Sequence, residues 1–185
     1  IRTCWLTSTG RVRALLEIRL LDNAAEILLL GGRIEDLVKG FDQVIFPADH
    51  VSLHAPERMR RVQLLAPTEE GRFNKVFWLS SNSELPNDFE NCEPASLTEF
   101  ESWRMENGLP ISEGELNGDN NPYELGLFDL VSLNKGCYLG QETLSKLSNL
   151  GVVKQELRFW ESEGDVHLNQ VLILQTENQK EKKKN

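Results

Sequence analysis

The sequence predicts an α+β fold, in which antiparallel strands come first and helices follow. Apolar residues alternate with other residues over 12–20, which is the period of a half-buried strand. Over 33–46 the apolar residues instead recur at helical spacing. A second helix is predicted where Ser96 and Glu99 match a capping box, and Asn107–Gly108 supply its left-handed stop.

The first half of the chain is predicted to begin as a meander of strands that leads into the first helix. Turn residues at Ser8–Gly10 and Asp22–Asn23 separate the early strands, and Gly31–Gly32 close the third. Residues 68–79 fit a helix or a strand equally well. The predicted strands of this half are residues 3–7, 12–20, 26–30, 50–54 and 62–66.

The second half is predicted to alternate polar loops with short helices. Residues 80–94 form a polar loop whose length is typical of a mobile or functional segment, and residues 111–121 form another. Residues 122–127 open with proline, which is favourable at the first position of a helix or turn. The remaining predicted elements are a helix over 141–149 closed by Gly151, strands over 152–160 and 171–174, and a disordered tail from 176.

Composition excludes several classes of function. The 185 residues carry 29 acidic and 20 basic side chains, and a net charge of -9 disfavours a nucleic-acid backbone as the main partner. No apolar run approaches the roughly 20 residues that span a bilayer, so we expect no membrane partner. Three cysteines without a C-x-x-C pair favour a reducing compartment, and the histidines share no ligand spacing with them, so no metal site is predicted.

The densest chemistry lies in residues Lys135–Glu142, here called the cysteine loop. Cys137 stands between two glycines and is followed by the start of a helix. The positive end of that helix and the Lys135 ammonium would both favour the thiolate, which is the nucleophilic form of cysteine. The alternative is a buried cysteine in a tight turn, and physical chemistry alone leaves the two interpretations equal. Likewise, Tyr138 could stack on a planar ligand or fill the core.

The cysteine loop resembles the K-G-C-Y-x-G-Q-E signature of the YgfZ-type folate-binding proteins, which are relatives of the glycine-cleavage T-protein, an aminomethyltransferase. Three further segments resemble the same family and come in the same order as in that family. These segments are Thr9–Val12, Arg104–Pro110 and Pro122–Leu127. Within the family, the chain looks most like the plant chloroplast branch.

The resemblance implies a T-protein-like ring around a folate channel, with tetrahydrofolate as cofactor. It also implies a role in iron–sulfur cluster assembly or repair, with iron–sulfur enzymes or assembly proteins as partners. Arg104 would contact folate, although an ion pair with Glu101 or Glu106 is the alternative for its guanidinium. Within the cysteine loop, Cys137 and Lys135 are the catalytic candidates, and the other signature positions are Gly136, Tyr138, Gly140, Gln141 and Glu142.

The same resemblance suggests how the chain divides. We expect a strand and helix part over 1–80, a helical part with the cysteine loop over 81–151, the start of a C-terminal barrel over 152–175 and a disordered tail over 176–185. Compared with the family, the fold is expected to be truncated at both ends, and the compartment to be a chloroplast or mitochondrion. Two alternatives stay open, a folate-dependent aminomethyl or one-carbon transferase and a non-catalytic fragment.

Overall fold

The computed structural model describes residues 1–65, 76–112, 114–151 and 153–158, which form a mixed α+β structure. A three-stranded antiparallel sheet runs in the order β1-β2-β3, and a two-stranded antiparallel sheet pairs β4 with β5. The strands and helices are β1 (Arg2–Leu6), β2 (Val12–Leu20), β3 (Ala25–Gly32), α1 (Ile34–Val44), β4 (Met59–Val62), β5 (Phe77–Ser80), α2 (Leu97–Glu106) and α3 (Gln141–Leu150).

The central strand β2 is covered on both faces, whereas the sequence predicted only one buried face. Successive side chains of a strand point to opposite faces, so Leu15 and Leu16, both buried, pack into two different clusters. Leu16 faces α1 through Leu37, and Leu15 joins the cluster built from residues 109–127. Val12 shares the face of Leu15 because the register shifts at the start of β2.

A buried carboxylate connects the two sheets. Glu17 on β2 accepts hydrogen bonds from Arg61 Nε and Nη2, each at 2.8 Å, and from Arg2 Nη2 at 3.0 Å. Trp78 Nε1 on β5 donates to the same carboxylate at 3.3 Å. Burial by itself would raise the pKa of Glu17, but the hydrogen bonds from Arg61, Arg2 and Trp78 and the charge of Arg61 lower it to about 2.

The helix signals of the second half are confirmed. Ser96 Oγ accepts from the Glu99 backbone N–H at 3.2 Å, and Glu99 Oε2 accepts from the Ser96 N–H at 2.7 Å. A glycine with a positive φ follows each helix, Gly108 at 58° after α2 and Gly151 at 61° after α3. The polar loop after β5 is anchored, because Phe89 is buried and contacts the Phe77 ring at 5.5 Å.

Two strand predictions are wrong. Residues 50–54 form no strand, because Asp49 Oδ2 accepts from the Phe46 N–H at 2.7 Å and closes a local turn that leaves His50 left-handed. Residues 153–158 also form no strand, since the Leu157 N–H donates to the Glu124 carbonyl at 2.7 Å instead of to a strand partner.

The strand predicted over 62–66 lies earlier in the chain, as β4, and residue 66 is outside the described part. The ambiguous segment 68–79 contains the first residues of β5. The predicted strand 171–174, the tail from 176 and most of the predicted barrel also lie outside the described residues. Among the described helices, none is long and apolar enough to cross a bilayer.

We predict that Glu17→Gln lowers the free energy of unfolding by about 2 kcal/mol at neutral pH, because it removes the charge that two arginines hydrogen-bond. The carboxylate has a lower pKa in the folded chain than its ordinary 4.5, so its stabilisation is complete above pH 4.5 and is lost as the pH falls towards about 2. Urea denaturation of wild type and variant across this range measures the difference.

The matched control is Glu26→Gln, which removes an exposed pair with Arg19 and should cost below about 0.5 kcal/mol. Equal losses for the two variants, or a difference that stays constant below pH 4.5, would contradict the assignment.

Candidate functional site

The cysteine loop is docked onto the turn between β1 and β2 by two glycines. Gly140, the residue before α3, has a φ of 82°. A Cβ placed on it would lie 2.5 Å from Gly10 Cα and 2.8 Å from the Thr7 carbonyl oxygen. Real Cβ atoms do not approach so closely, so only glycine fits. Leu144 is fully buried beside this contact and fixes the first turn of α3.

The Gln141 side chain closes the cysteine loop from within. Its Nε2 donates to the Leu133 carbonyl at 3.3 Å and to the Lys135 carbonyl at 3.4 Å. Its Oε1 accepts from the Tyr138 N–H at 3.3 Å. One amide therefore serves three backbone groups, and the loop conformation depends on it.

Lys135 and Tyr138 contact each other on the cysteine loop. Lys135 Nζ lies 4.8 Å from the centre of the Tyr138 ring, which is a cation–π distance. The Tyr138 hydroxyl is buried and has no hydrogen-bond partner among the described residues. Burial, with a smaller contribution from Tyr123, raises the pKa of Tyr138. The hydroxyl end of Tyr138 thus lies in the interior.

Cys137 itself is exposed, which is not the arrangement of a buried cysteine in a tight turn. Cys4 on β1 is half-buried, and burial raises the pKa of its thiol to about 12, so it stays protonated at neutral pH. Cys92 is exposed and lines a different cavity.

Cys4 and Cys137 line one cavity of about 580 Å³, here called the apolar groove. It runs between the cysteine loop, the α1 side of the first sheet and the end of α1. Its remaining lining residues are Thr3, Trp5, Leu6, Leu16, Ile18, Leu20, Ala25, Ile27, Phe41, Val44, Leu130, Val131, Ser132, Lys135, Tyr138 and Leu139.

Arg104, the predicted folate contact, is buried within α2 and engaged by two carboxylates. Its Nε donates to Glu101 Oε2 at 2.7 Å, as one of the alternatives from sequence anticipated, and its Nη1 donates to Glu115 at 3.1 and 3.2 Å. Burial alone would raise the pKa of Glu115, but hydrogen bonds from Ser112 and Arg104 hold it below its ordinary value. The Ser112-x-x-Glu115 spacing is the signal that could have identified this partner.

A second arginine–carboxylate pair, in which the glutamate is buried and the arginine is partly exposed, joins two of the other segments that the sequence singled out. Arg11 Nη1, at the start of the β2 region, donates to Glu124 Oε2 at 3.0 Å. The Asn121 N–H donates to the same oxygen at 2.8 Å, and Asn121 Oδ1 accepts from the Tyr123 and Glu124 N–H groups. Glu124 therefore fixes the turn over 122–127 against the first sheet.

The structure does not bring all predicted site residues together. Cys137, Lys135 and Tyr138 share the apolar groove, whereas Arg104 lines a separate cavity of about 410 Å³ with Leu109 and Leu125. No described residue lines both cavities. Gly136 faces open space, and the Glu142 carboxylate forms an exposed pair with Lys146 at 2.7 Å. Within the described residues, no group of three or more candidate ligands is placed to hold a metal ion.

Curated proteins match parts of the chain. It is 41% identical over 68 residues to a protein of Arabidopsis thaliana named as a chloroplastic transferase, covering 37% of this chain and 16% of that protein. It is 34% identical over 67 residues to an aminomethyltransferase of Caldanaerobacter subterraneus, covering 36% and 18% of the two chains. Against the tRNA-modifying protein YgfZ of Blochmanniella pennsylvanica, it is 28% identical over 143 residues, covering 73% and 41%.

These relatives support a place in the superfamily of aminomethyltransferases and YgfZ proteins. The superfamily relationship and the mixed helix and sheet are compatible with the fold expected for aminomethyltransferases. Each match spans at most 41% of the relative's own length. No protein-family model and no solved structure matches the chain.

We predict that Gly140→Ala destabilises the chain by about 2–4 kcal/mol, because it adds left-handed strain and a backbone overlap with Gly10. Gly136→Ala is the matched control in the same loop. Its added Cβ meets no atom within 4 Å and its φ is not left-handed, so we expect a change within about 0.5 kcal/mol. Urea denaturation measures both, and equal effects would contradict the docking role of Gly140.

Proposed function

We propose that this chain functions in a tetrahydrofolate-dependent protein that supports iron–sulfur cluster assembly or repair in client enzymes, using Cys137 as its thiol. The observation that carries the proposal is that the cysteine loop is fixed by other residues while its thiol stays exposed. Gly140 and Gln141 hold the loop in place, while the Cys137 sulfur is left exposed. A thiol on a fixed loop is accessible to a partner without a change of fold.

Cys137 would act by transient chemistry or by contact with a partner, not as a resident cluster ligand. Iron–sulfur clusters are usually held by four thiolates. Of the other two cysteines, Cys4 lines the apolar groove together with Cys137 and Cys92 does not. The Cys4 thiol stays protonated at neutral pH. The client enzyme would supply the remaining ligands of any cluster that Cys137 contacts.

The proposed folate contact is Arg104, supported by the relationship to aminomethyltransferases. Its Nε and Nη1 are used by Glu101 and Glu115, but its Nη2 has no hydrogen-bond partner among the described residues. A folate glutamyl carboxylate in the adjacent cavity could accept from that nitrogen. The two internal carboxylates would then orient the guanidinium for the ligand.

A folate-dependent aminomethyl or one-carbon transferase is the second candidate, because two relatives are named aminomethyltransferases. Such a reaction needs a carboxylate that can exchange a proton. The two buried glutamates of the described residues, Glu17 and Glu124, are both paired with arginine. This engagement gives the transferase candidate less support than the thiol-based one.

The compartment and partners follow from the same proposal. The chloroplastic relative supports a plastid location, and a mitochondrial one is the alternative. One relative is named as a tRNA-modifying protein. The net charge of -9 argues against RNA binding by this chain itself. We therefore propose folate and iron–sulfur enzymes or assembly proteins as partners.

We predict that Cys137→Ala abolishes rescue when the protein is expressed in cells that lack the corresponding family member and show an iron–sulfur enzyme defect. The exposed Cys92 provides the control, and Cys92→Ala should rescue as wild type does. The measurement is the activity of the client enzyme at matched expression levels. Full rescue by the Cys137 variant would remove the thiol from the mechanism.

We predict that tetrahydrofolate binds the chain and that Arg104→Gln weakens binding about tenfold, the effect of one charge-assisted hydrogen bond. Isothermal titration calorimetry measures the affinity, and urea denaturation confirms that the variant is folded. Glu101→Gln is the control, because it breaks the internal pair but keeps the guanidinium. If both variants lose stability alike and bind folate as wild type does, Arg104 has only a structural role.

A further inference from the structure

We propose that the apolar groove binds an amphiphile with one carboxylate and a flexible apolar chain, of the class of medium-chain fatty acids. The carboxylate would pair with Lys135, and the chain would lie along the α1 side of the first sheet. This inference goes beyond the folate-dependent function and does not rest on it, because it depends only on the lining of the groove.

The lining is apolar and incompletely covered. Leu20 is 67% exposed, Val44 44% and Ile27 37%, and all three border the groove. Contiguous exposed apolar side chains of this kind mark binding surfaces. The volume of about 580 Å³ lies within the range of roughly 300–1,000 Å³ that is typical of small-molecule sites.

Charge complementarity specifies one end of the ligand. Among the described residues that line the groove, Lys135 is the one with a charged side chain, on a chain whose net charge is -9. Its ammonium lies over the Tyr138 ring and forms no ion pair with a described residue. A carboxylate would supply the missing counter-charge, and the apolar surroundings would strengthen that pair compared with one in open water.

The shape of the groove specifies the other end. Leu16, Ile18 and Leu20 alternate along one face of β2 and extend over about 13 Å at the usual rise of a strand. Ile27 of β3 pairs with Ile18, and Ala25 pairs with Leu20, which widens the same strip. An extended alkyl chain can contact the whole strip, so we commit to a saturated chain and use dodecanoate as the probe.

The test titrates dodecanoate into the full chain by isothermal calorimetry, below the concentration at which the probe aggregates. We expect saturable binding that Lys135→Gln weakens about tenfold. Lys146→Gln is the matched control, since Lys146 is an exposed lysine outside the groove, and it should bind as wild type does. Dodecylammonium should bind wild type more weakly than dodecanoate does, and Lys135→Glu should reverse this preference.

The thiols give an independent measurement. Cys137 lines the groove and Cys92 does not, so bound dodecanoate should slow alkylation of Cys137 by iodoacetamide and leave Cys92 unchanged. Peptide mass spectrometry follows both sites in one sample. Leu20→Glu and Ile27→Glu each place a carboxylate on the apolar strip and should remove this protection.

The proposal fails if Lys135→Gln and wild type bind dodecanoate equally, or if protection of Cys137 is absent at saturation. It also fails if sedimentation shows a dimer that Leu20→Glu dissociates, because a second copy would then occupy the groove. Tetrahydrofolate binding through Arg104 should be unaffected by Leu20→Glu. The folate proposal and this one can therefore fail separately.

Discussion

The close approach of Gly10 and Gly140 is the contact on which the candidate site depends. Two backbone segments far apart in sequence meet with no room for a side chain between them. Because Gly140 also precedes α3, this one contact sets the position of the helix and of the loop that carries Cys137. The buried Leu144 secures the arrangement from the helix side. The exposure of the Cys137 sulfur therefore depends on this backbone contact.

Arginine–carboxylate pairs in which at least one partner is buried provide a second level of support. Glu17 joins the two sheets, Glu124 joins the turn over 122–127 to the first sheet, and Arg104 joins α2 to Glu115. Removing one member of such a pair would leave the other as an uncompensated charge in the interior, which is destabilising. In each of these pairs the arginine therefore has a structural partner, and Arg104 is proposed to contact folate in addition. Lys135 differs from these arginines, because it forms no ion pair with a carboxylate of the described residues.

Local signals in the sequence predicted much of the fold, and long-range contacts explain what it could not predict. The capping box at Ser96 and the glycine stop at Gly151 act within a few residues, so the sequence alone revealed them. The strand predicted over 152–160 is not formed in its described part, 153–158, because the carbonyl of Glu124, distant in sequence, accepts from the Leu157 N–H. The partners of Gly140 and Glu17 likewise have no local signature.

The residues of the cysteine loop divide into those that hold its conformation and those whose side chains are left available to a ligand or partner. Of the residues that the sequence singled out there, Gly140 and Gln141 have structural partners that account for them. Cys137 has no such partner among the described residues, and the Lys135 ammonium lies over the Tyr138 ring without an ion pair to a described residue. Lys135 and Cys137 line the same cavity, so a ligand whose carboxylate pairs with Lys135 would lie beside the Cys137 sulfur. Occupancy of the apolar groove would therefore control how easily a partner or reagent reaches that sulfur.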